Sequence, residues 1–415
     1  MAEVRHDAFA ALRYPEFRRL SFATFLITSA ILIQEVALGY ELYRITGDPL
    51  MLGLVGLAEA LPFMALALFG GHLADRREKV RLMKLSLGVI LLGSAVLLWA
   101  MRPSLHDTLT RMQLLLVIYG AIFVLGLARG IYSPAGSSLK AFLVPREIYP
   151  NSSTWISTFW QAGAVLGPVA AGFLLAAVSI TGTLAVVLAM MTVALWLISG
   201  IAPRHPPPQQ EFAENVWHSL REGLDYVFKT RILLYAISLD MFSVLFGGVV
   251  AILPVFAQDI LVVGPEGLGI LRGAPAVGAL LTMLVCAYYT PVHNAWRNLL
   301  WAVAGFGVAT LVFAVSKNFW LSAAMLFLTG AFDSISVIIR QTILQVMTPD
   351  HLRGRVQSVN SLFVSTSNEL GAFESGLAAK LMGTVPSVLF GGALTLAVVT
   401  RIWRRSKDLF AVKLT

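Results

Sequence analysis

Long apolar stretches separated by short polar segments dominate the pattern of the chain. A helix needs about 20 mostly apolar residues to cross the hydrocarbon core of a membrane. Twelve stretches meet this requirement, and we predict spans at 18–44, 49–73, 81–101, 111–138, 153–178, 181–201, 231–258, 267–290, 298–316, 319–345, 356–382 and 385–401. The pattern therefore predicts an all-α integral membrane protein with both termini on the same side.

The basic residues indicate which side that is. Cytoplasmic loops of membrane proteins carry an excess of Lys and Arg. If the amino terminus is cytoplasmic, the cytoplasmic segments hold 22 basic residues and the opposite side holds 5. We therefore predict that both termini face the cytoplasm.

Composition excludes several classes of protein. The chain is 57% hydrophobic and only 13% charged, with a mean hydropathy of +0.76, whereas soluble proteins are about 25% charged. These values exclude a soluble enzyme, a disordered protein and a secreted disulfide scaffold. The net charge of +8 follows from the topology, so it gives no support to nucleic-acid binding.

The longest polar stretch divides the chain into two halves. Residues 202–230 begin with four prolines within six residues and continue as an apolar stripe at every fourth position, from Phe212 to Phe228. This pattern predicts a linker with an amphipathic helix on the cytoplasmic face. We predict a six-helix bundle over 1–201, the linker over 202–230, a second six-helix bundle over 231–401 and a cytoplasmic tail over 402–415.

An internal repeat supports this division. A shift of 204 residues places Pro145 on Pro349, Gly167 on Gly371 and Gly172 on Gly376 without a gap. The fifth and eleventh spans are then counterparts, and the halves are parallel repeats. Six plus six parallel repeats are typical of rocking secondary transporters, which bind substrate near mid-membrane at the interface of the repeats.

Two motifs stand at particular positions in this pattern. The loop after the second span reads GHLADRREKVR over residues 71–81, in which a glycine allows close helix contact and charged side chains can latch an inner gate. The gating candidates are Gly71, Asp75, Arg76, Lys79 and Arg81. The fifth span carries small residues on one face beside a proline, at Gly163, Gly167, Pro168 and Gly172.

These motifs resemble those of the major facilitator superfamily. The loop over 71–81 is similar to the family's gating motif, although Glu78 and Val80 depart from it, and the glycine strip is similar to its antiporter motif. Residues 12–20, 43–50 and 348–356 resemble the branch that exports siderophores such as enterobactin and drug-like compounds. The resemblance implies a monomeric exporter of small molecules in the bacterial inner membrane, coupled to proton antiport and without a cofactor or metal.

Ionisable residues inside predicted spans point to the site itself. Each costs about 2.5–3.5 kcal/mol at a helix centre, so such residues are paired or functional. Carboxyl groups partly removed from water can bind and release protons near neutral pH. The proton-coupling candidates are Glu369, Asp333, Glu59 and Glu35, with Glu369 first because it lies near the middle of its span. For Arg340, Arg272 and Asp240 we favour packing between helices.

The substrate-binding candidates come from both halves. Arg129 either holds an anionic substrate or pairs with Glu35 or Glu59. Aromatic and amide side chains can stack on and hydrogen-bond an aromatic ligand, although membrane-helix aromatics more often face lipid. This group comprises Trp155, Trp160, Gln161, Gln34 and Gln341. Glu374 is a further substrate-binding candidate, and it is also a candidate partner for a basic residue.

The same sequence leaves other functions open. An importer, a lipid flippase or an uncoupled transporter of the same fold shares most of these features, and a channel is a further alternative. No phosphate-binding Gly-rich loop and no Gly-x-Ser-x-Gly element occurs, so we expect no enzyme. The predicted partners are a small-molecule substrate, protons and the lipid bilayer.

Overall fold

The computed structural model describes residues 7–106, 108–203, 216–289, 291 and 294–411. Within these ranges the chain forms helices and no β-strand. Twelve of these helices have 14 residues or more: α1 Pro15–Thr46, α2 Pro49–Arg76, α3 Lys79–Ala100, α4 Arg111–Leu139, α5 Tyr149–Ser199, α6 Val216–Lys229, α7 Arg231–Gly247, α8 Gly264–Tyr288, α9 Ala295–Val315, α10 Phe319–Met347, α11 Arg353–Met382 and α12 Thr384–Arg405.

Local capping explains several of the helix starts. The Glu78 carboxylate accepts hydrogen bonds from the backbone N–H groups of Val80 and Arg81 at 3.0 and 3.1 Å, which begins α3. Thr110 and Gln113 form a reciprocal capping box at the start of α4. Such bonds satisfy N–H groups that have no partner inside the helix, so these boundaries follow directly from the sequence.

Ten helices of the described part are long and apolar enough to cross a membrane. The segment Arg146–Ser199 counts once, although it contains two predicted spans and its backbone leaves helical geometry at Ser179, where φ is 61°. The predicted eleventh span corresponds to α11, which is too polar to be among the ten. The count of twelve spans stays a prediction.

Contacts within the chain define two compact units. The first comprises the described residues of 7–41 and 58–203, and the second those of 42–57 and 216–411. The first turns of α2 therefore belong to the second unit. Just before them, the Asp48 carboxylate lies 2.6 Å from Lys380 Nζ of α11. Each unit is described below by itself.

In the first unit, glycines bring helix backbones close together. A Cβ atom on Gly167 of α5 would lie 3.1 Å from the Ser29 carbonyl oxygen of α1, and one on Gly163 would lie 3.1 Å from that of Phe25. On α4, a Cβ on Gly126 would lie 2.8 Å from Pro62 Cγ of α2. Glycine permits these close approaches because it has no Cβ atom.

The second unit repeats this packing. A Cβ on Gly371 of α11 would lie 2.9 Å from the Val244 carbonyl oxygen of α7, and one on Gly330 of α10 would meet the backbone of Pro275 in α8. Gly371 and Gly330 lie 204 residues after Gly167 and Gly126. The offset found around α5 and α11 therefore extends to α4 and α10, with equivalent contacts in each unit.

The linker helix α6 belongs to the second unit and packs against its other helices. Leu220 and Leu224 contact its buried apolar cluster, and Val227 belongs to that cluster, whereas Phe228 is 58% exposed. Four residues turn a helix by 400°, so a stripe at every fourth position drifts and its last member leaves the buried face. The predicted stripe residue Phe212 lies outside the described residues.

Candidate functional site: a cavity in the first unit

A cavity of about 490 Å³ lies within the first unit. One wall comes from α1, with Leu20, Thr24, Ile27, Thr28, Ile31 and Leu32. The facing wall follows α4 and the residue after it, with Arg129, Tyr132, Ser133, Gly136, Ser137 and Lys140. Phe63, Met83, Ile156, Ser157 and Trp160 complete the lining. Ligand pockets commonly have about 300–1,000 Å³ and apolar walls with a few polar groups, which this cavity matches.

Arg129 is a charged side chain at one end of the polar wall. It forms an ion pair with Glu59 of α2, and the two side chains are 35% and 23% exposed. The contact between Gly126 and the backbone of Glu59 brings α4 and α2 close enough for this pair. Of the two alternatives for Arg129, the structure shows the pair with Glu59, and Arg129 also lines the cavity.

Lys140 is a cavity residue that our sequence analysis did not select. It follows the last residue of α4 and lies eleven positions after Arg129, which is 20° more than three whole turns. Tyr132, Ser133, Gly136 and Ser137 fall between them on the same face. The spacing of 3, 4, 7, 8 and 11 residues is a sequence signal for such a row, but it does not reveal which face meets a cavity.

The predicted ligand-binding aromatics of α5 lie in different places. Trp160 lines the cavity and is 53% exposed. Trp155 is not among the lining residues, because its indole N–H donates to the Ala8 carbonyl oxygen at 2.9 Å and its ring packs on Phe9. Gln161 is half-buried beside this region and is also absent from the lining.

The remaining candidates do not line this cavity. Gln34 is buried in α1, and its Oε1 atom has no hydrogen-bond partner among the described residues. Glu35 is half-buried next to it. In the second unit, Glu369 and Glu374 of α11 and Gln341 of α10 are half-buried. The Oε2 atom of Glu369 would lie 3.8 Å from a Cβ on Gly56 of α2.

A second acid–arginine pair lies in the second unit. Arg340 of α10 forms an ion pair with Asp240 of α7, and the side chains are only 2% and 5% exposed. Asp333, one of the proton-coupling candidates, lies within electrostatic range of both. This pair links two helices inside the protein, as we expected for Arg340 and Asp240.

The gating motif is only partly described. Gly71, Asp75 and Arg76 belong to the helical backbone of α2, and their side chains lie outside the described part of the structure. Lys79 is buried, with its ammonium group 5.1 Å from the centre of the Phe142 ring, and Arg81 is exposed. Glu78, which departs from the family motif, instead caps α3.

Long apolar helices and a cavity with ionisable side chains are features of a membrane transporter. A sequence model of the Major Facilitator Superfamily matches residues 20–372. The chain belongs to the Major Facilitator Superfamily and is a multi-pass membrane transporter of small molecules.

Several known proteins are similar to this chain over almost its full length. The enterobactin exporter EntS of Shigella boydii serotype 4 (strain Sb227) is 25% identical over 405 residues, which cover 94% of this chain and 93% of the exporter. A POT family transporter in complex with 5-aminolevulinic acid superposes with a TM-score of 0.74 at 11% identity, covering 95% and 96% of the two chains. A bacterial homologue of the iron transporter ferroportin, in an inward-facing state, gives 0.72 at 16% identity, covering 94% and 98%. These structural likenesses show the fold.

Proposed function

We propose that the protein exports a small molecule, such as a siderophore or a drug-like compound, from the bacterial cytoplasm by proton antiport. The observation that carries this proposal is the Glu59–Arg129 pair, which borders a cavity of ligand size in a chain of this family. The direction of transport is supported by the exporters to which the chain is similar. The glycine strip of α5 and its close contact with α1 are consistent with the antiporter motif.

The proposed architecture has twelve spans in two six-helix bundles with both termini cytoplasmic, and it works as a monomer by alternating access. Residues 71–81 serve as the inner gate. Protonation of carboxyl groups within the spans releases the substrate outward, and deprotonation inside restores affinity. Glu369 is the first candidate for this step because it is half-buried near the middle of α11, with Asp333, Glu35 and Glu59 as further candidates.

Proton flux in proteoliposomes tests this mechanism. The ligand panel contains a catecholate siderophore, a macrolide, a cationic dye and a lysophospholipid. We expect a saturable proton signal with at least one ligand, and we expect Glu369→Gln to abolish it because a neutral amide cannot exchange a proton. Asn368→Gln is the matched control, since this neighbouring side chain is exposed and bonded within its own helix.

The outcomes separate the alternatives. An unchanged signal in Glu369→Gln removes this residue from the coupling step. Saturable flux without proton movement indicates an uncoupled transporter, and movement of the lysophospholipid alone indicates a flippase. Net uptake under every imposed gradient indicates an importer.

A further inference from the structure

The charges around the cavity of the first unit do not balance. Among the described residues, its lining contains two basic side chains, Arg129 and Lys140, and no carboxylate. Arg129 is partnered by Glu59, whose carboxylate is the charged group facing it from α2. Lys140 has no ion-pair partner among the described residues. The wall of the cavity is therefore positive by one charge.

The two basic residues stand at opposite ends of one row. With a rise of 1.5 Å per residue, eleven residues separate Arg129 from Lys140 by about 16 Å along the helix. The hydroxyl groups of Tyr132, Ser133 and Ser137 lie between them on the same face. Ser157, Thr24 and Thr28 add hydroxyl groups from the helices opposite.

The rest of the lining is apolar and aromatic. Trp160, Tyr132 and Phe63 supply rings, and Ile27, Ile31 and Leu32 supply aliphatic surface. A small inorganic anion would leave this surface unused, whereas a flat organic group can cover it. A cationic ligand would meet repulsion from Lys140 without a free carboxylate in the lining to offset it.

From this arrangement we infer that the cavity is a binding site for organic anions with an aromatic part. Lys140 receives the anionic group at the end of α4, and the hydroxyl row leads it to Arg129. There a ligand carboxylate, sulfonate or phosphate competes with Glu59 for the guanidinium group. The inference rests on the proposed function in one respect, namely that the cavity lies on the path of the exported molecule.

The test measures equilibrium binding of two probes of equal shape to the purified full-length protein. Radiolabelled 2-naphthoate carries the charge, and 2-naphthamide is its neutral counterpart. We expect the wild-type protein to bind 2-naphthoate about tenfold more tightly than 2-naphthamide, since bonds to charged groups are stronger than neutral ones by about this factor. The preference should fall as salt is added.

The variants assign this preference to the row. Lys140→Gln should weaken 2-naphthoate binding about tenfold and leave 2-naphthamide binding within about twofold, and Lys140→Arg should restore the preference. Lys84→Gln is the matched control, because Lys84 lies on the neighbouring α3 and is not in the lining. Melting curves of all variants establish that each is folded.

Three results would overturn the inference: no saturable binding of 2-naphthoate, equal binding of both probes, or a preference that survives in Lys140→Gln. A separate flux experiment distinguishes this failure from failure of the proposed function. Lysine-dependent binding of 2-naphthoate without its export from proteoliposomes keeps the anion site and rejects export. Export of other ligands without an anion preference keeps export and rejects the anion site.

Discussion

The two units share a packing framework but use their charges differently. Gly126 on α4 and Gly330 on α10 each press against a proline-containing helix, whereas Gly167 presses against α1 and Gly371 against α7. The charged residues do not follow this equivalence, because the position 204 residues after Arg129 holds Asp333. The repeat thus preserved close helix contacts, which depend on small residues, while the polar side chains diverged.

The acid–arginine pairs show what this divergence produced. The Glu59–Arg129 side chains are 23% and 35% exposed and border a cavity, whereas Asp240–Arg340 are 5% and 2% exposed. A partly exposed pair that borders a cavity can exchange its partner for a ligand. A fully buried pair cannot, because separating it leaves a charge without solvation. Equal chemistry in two environments therefore predicts a functional pair in one unit and a structural pair in the other.

The largest effect should come from breaking the buried pair. Asp240→Asn removes the ion-pair partner of the buried Arg340, which should lower the free energy of unfolding by about 3–5 kcal/mol. Unfolding of the purified protein in mixed micelles with increasing sodium dodecyl sulfate measures this loss. The double variant Asp240→Leu with Arg340→Met removes both charges and should regain most of the stability; if it is as unstable as Asp240→Asn, the pair is not what stabilises this contact.

The next effect should come from filling the equivalent glycine contacts. Gly371→Ala and Gly167→Ala place a methyl group within 2.9 and 3.1 Å of a carbonyl oxygen, so each should cost about 1–3 kcal/mol of stability through overpacking. The same unfolding assay applies. Gly88→Ala is the control, because a Cβ there meets no atom within 4 Å; a loss at Gly167 alone would show that the framework is not shared.

The equivalent acid-to-amide change in the first unit, Glu59→Gln, should have a smaller effect, and this effect is a gain in ligand binding rather than a loss of stability. Glu59→Gln releases Arg129 from its carboxylate partner, so 2-naphthoate should bind about threefold to tenfold more tightly, within the range of one charge-assisted hydrogen bond. Stability should change by less than about 1 kcal/mol because the pair is partly exposed. Weaker 2-naphthoate binding in this variant would contradict competition for Arg129.

The sign of this effect sharpens the same point. Loss of the negative charge of Glu59 should tighten the binding of an anionic ligand. Antiport requires the opposite sign, in which protons expel the substrate. For an anionic ligand, coupling should therefore reside in another acid such as Glu369, and Glu59 should set affinity.

The smallest effect should come from an exposed pair. Lys380 and Asp48 lie 2.6 Å apart with side chains 45% and 23% exposed, and such pairs contribute about 0–1 kcal/mol. Lys380→Gln should therefore leave unfolding nearly unchanged and serve as a baseline for Asp240→Asn. A loss comparable to that of Asp240→Asn would show that burial does not separate the pairs of this protein.

The sequence by itself determined the membrane class, the all-helical fold, the family and the position of the linker helix. These features depend on local patterns, such as apolar runs of about 20 residues, capping by Glu78 and the repeat that relates Gly167 to Gly371. Burial of the stripe in α6 was only partly predictable. The stripe drifts around the helix, so that Val227 is buried in the apolar cluster of the second unit and Phe228 is exposed.

Only the tertiary structure decided which charges meet. Arg129 had two acids at compatible depth, and the structure pairs it with Glu59, where α4 approaches α2 closely at Gly126. Trp155 was equally suited to stacking on a ligand, but its indole is bonded to Ala8. Lys140 acquired its place because one face of α4 meets a cavity. Hydrophobic periodicity determines where helices run, whereas ion pairs and cavities depend on how distant helices are rotated against each other.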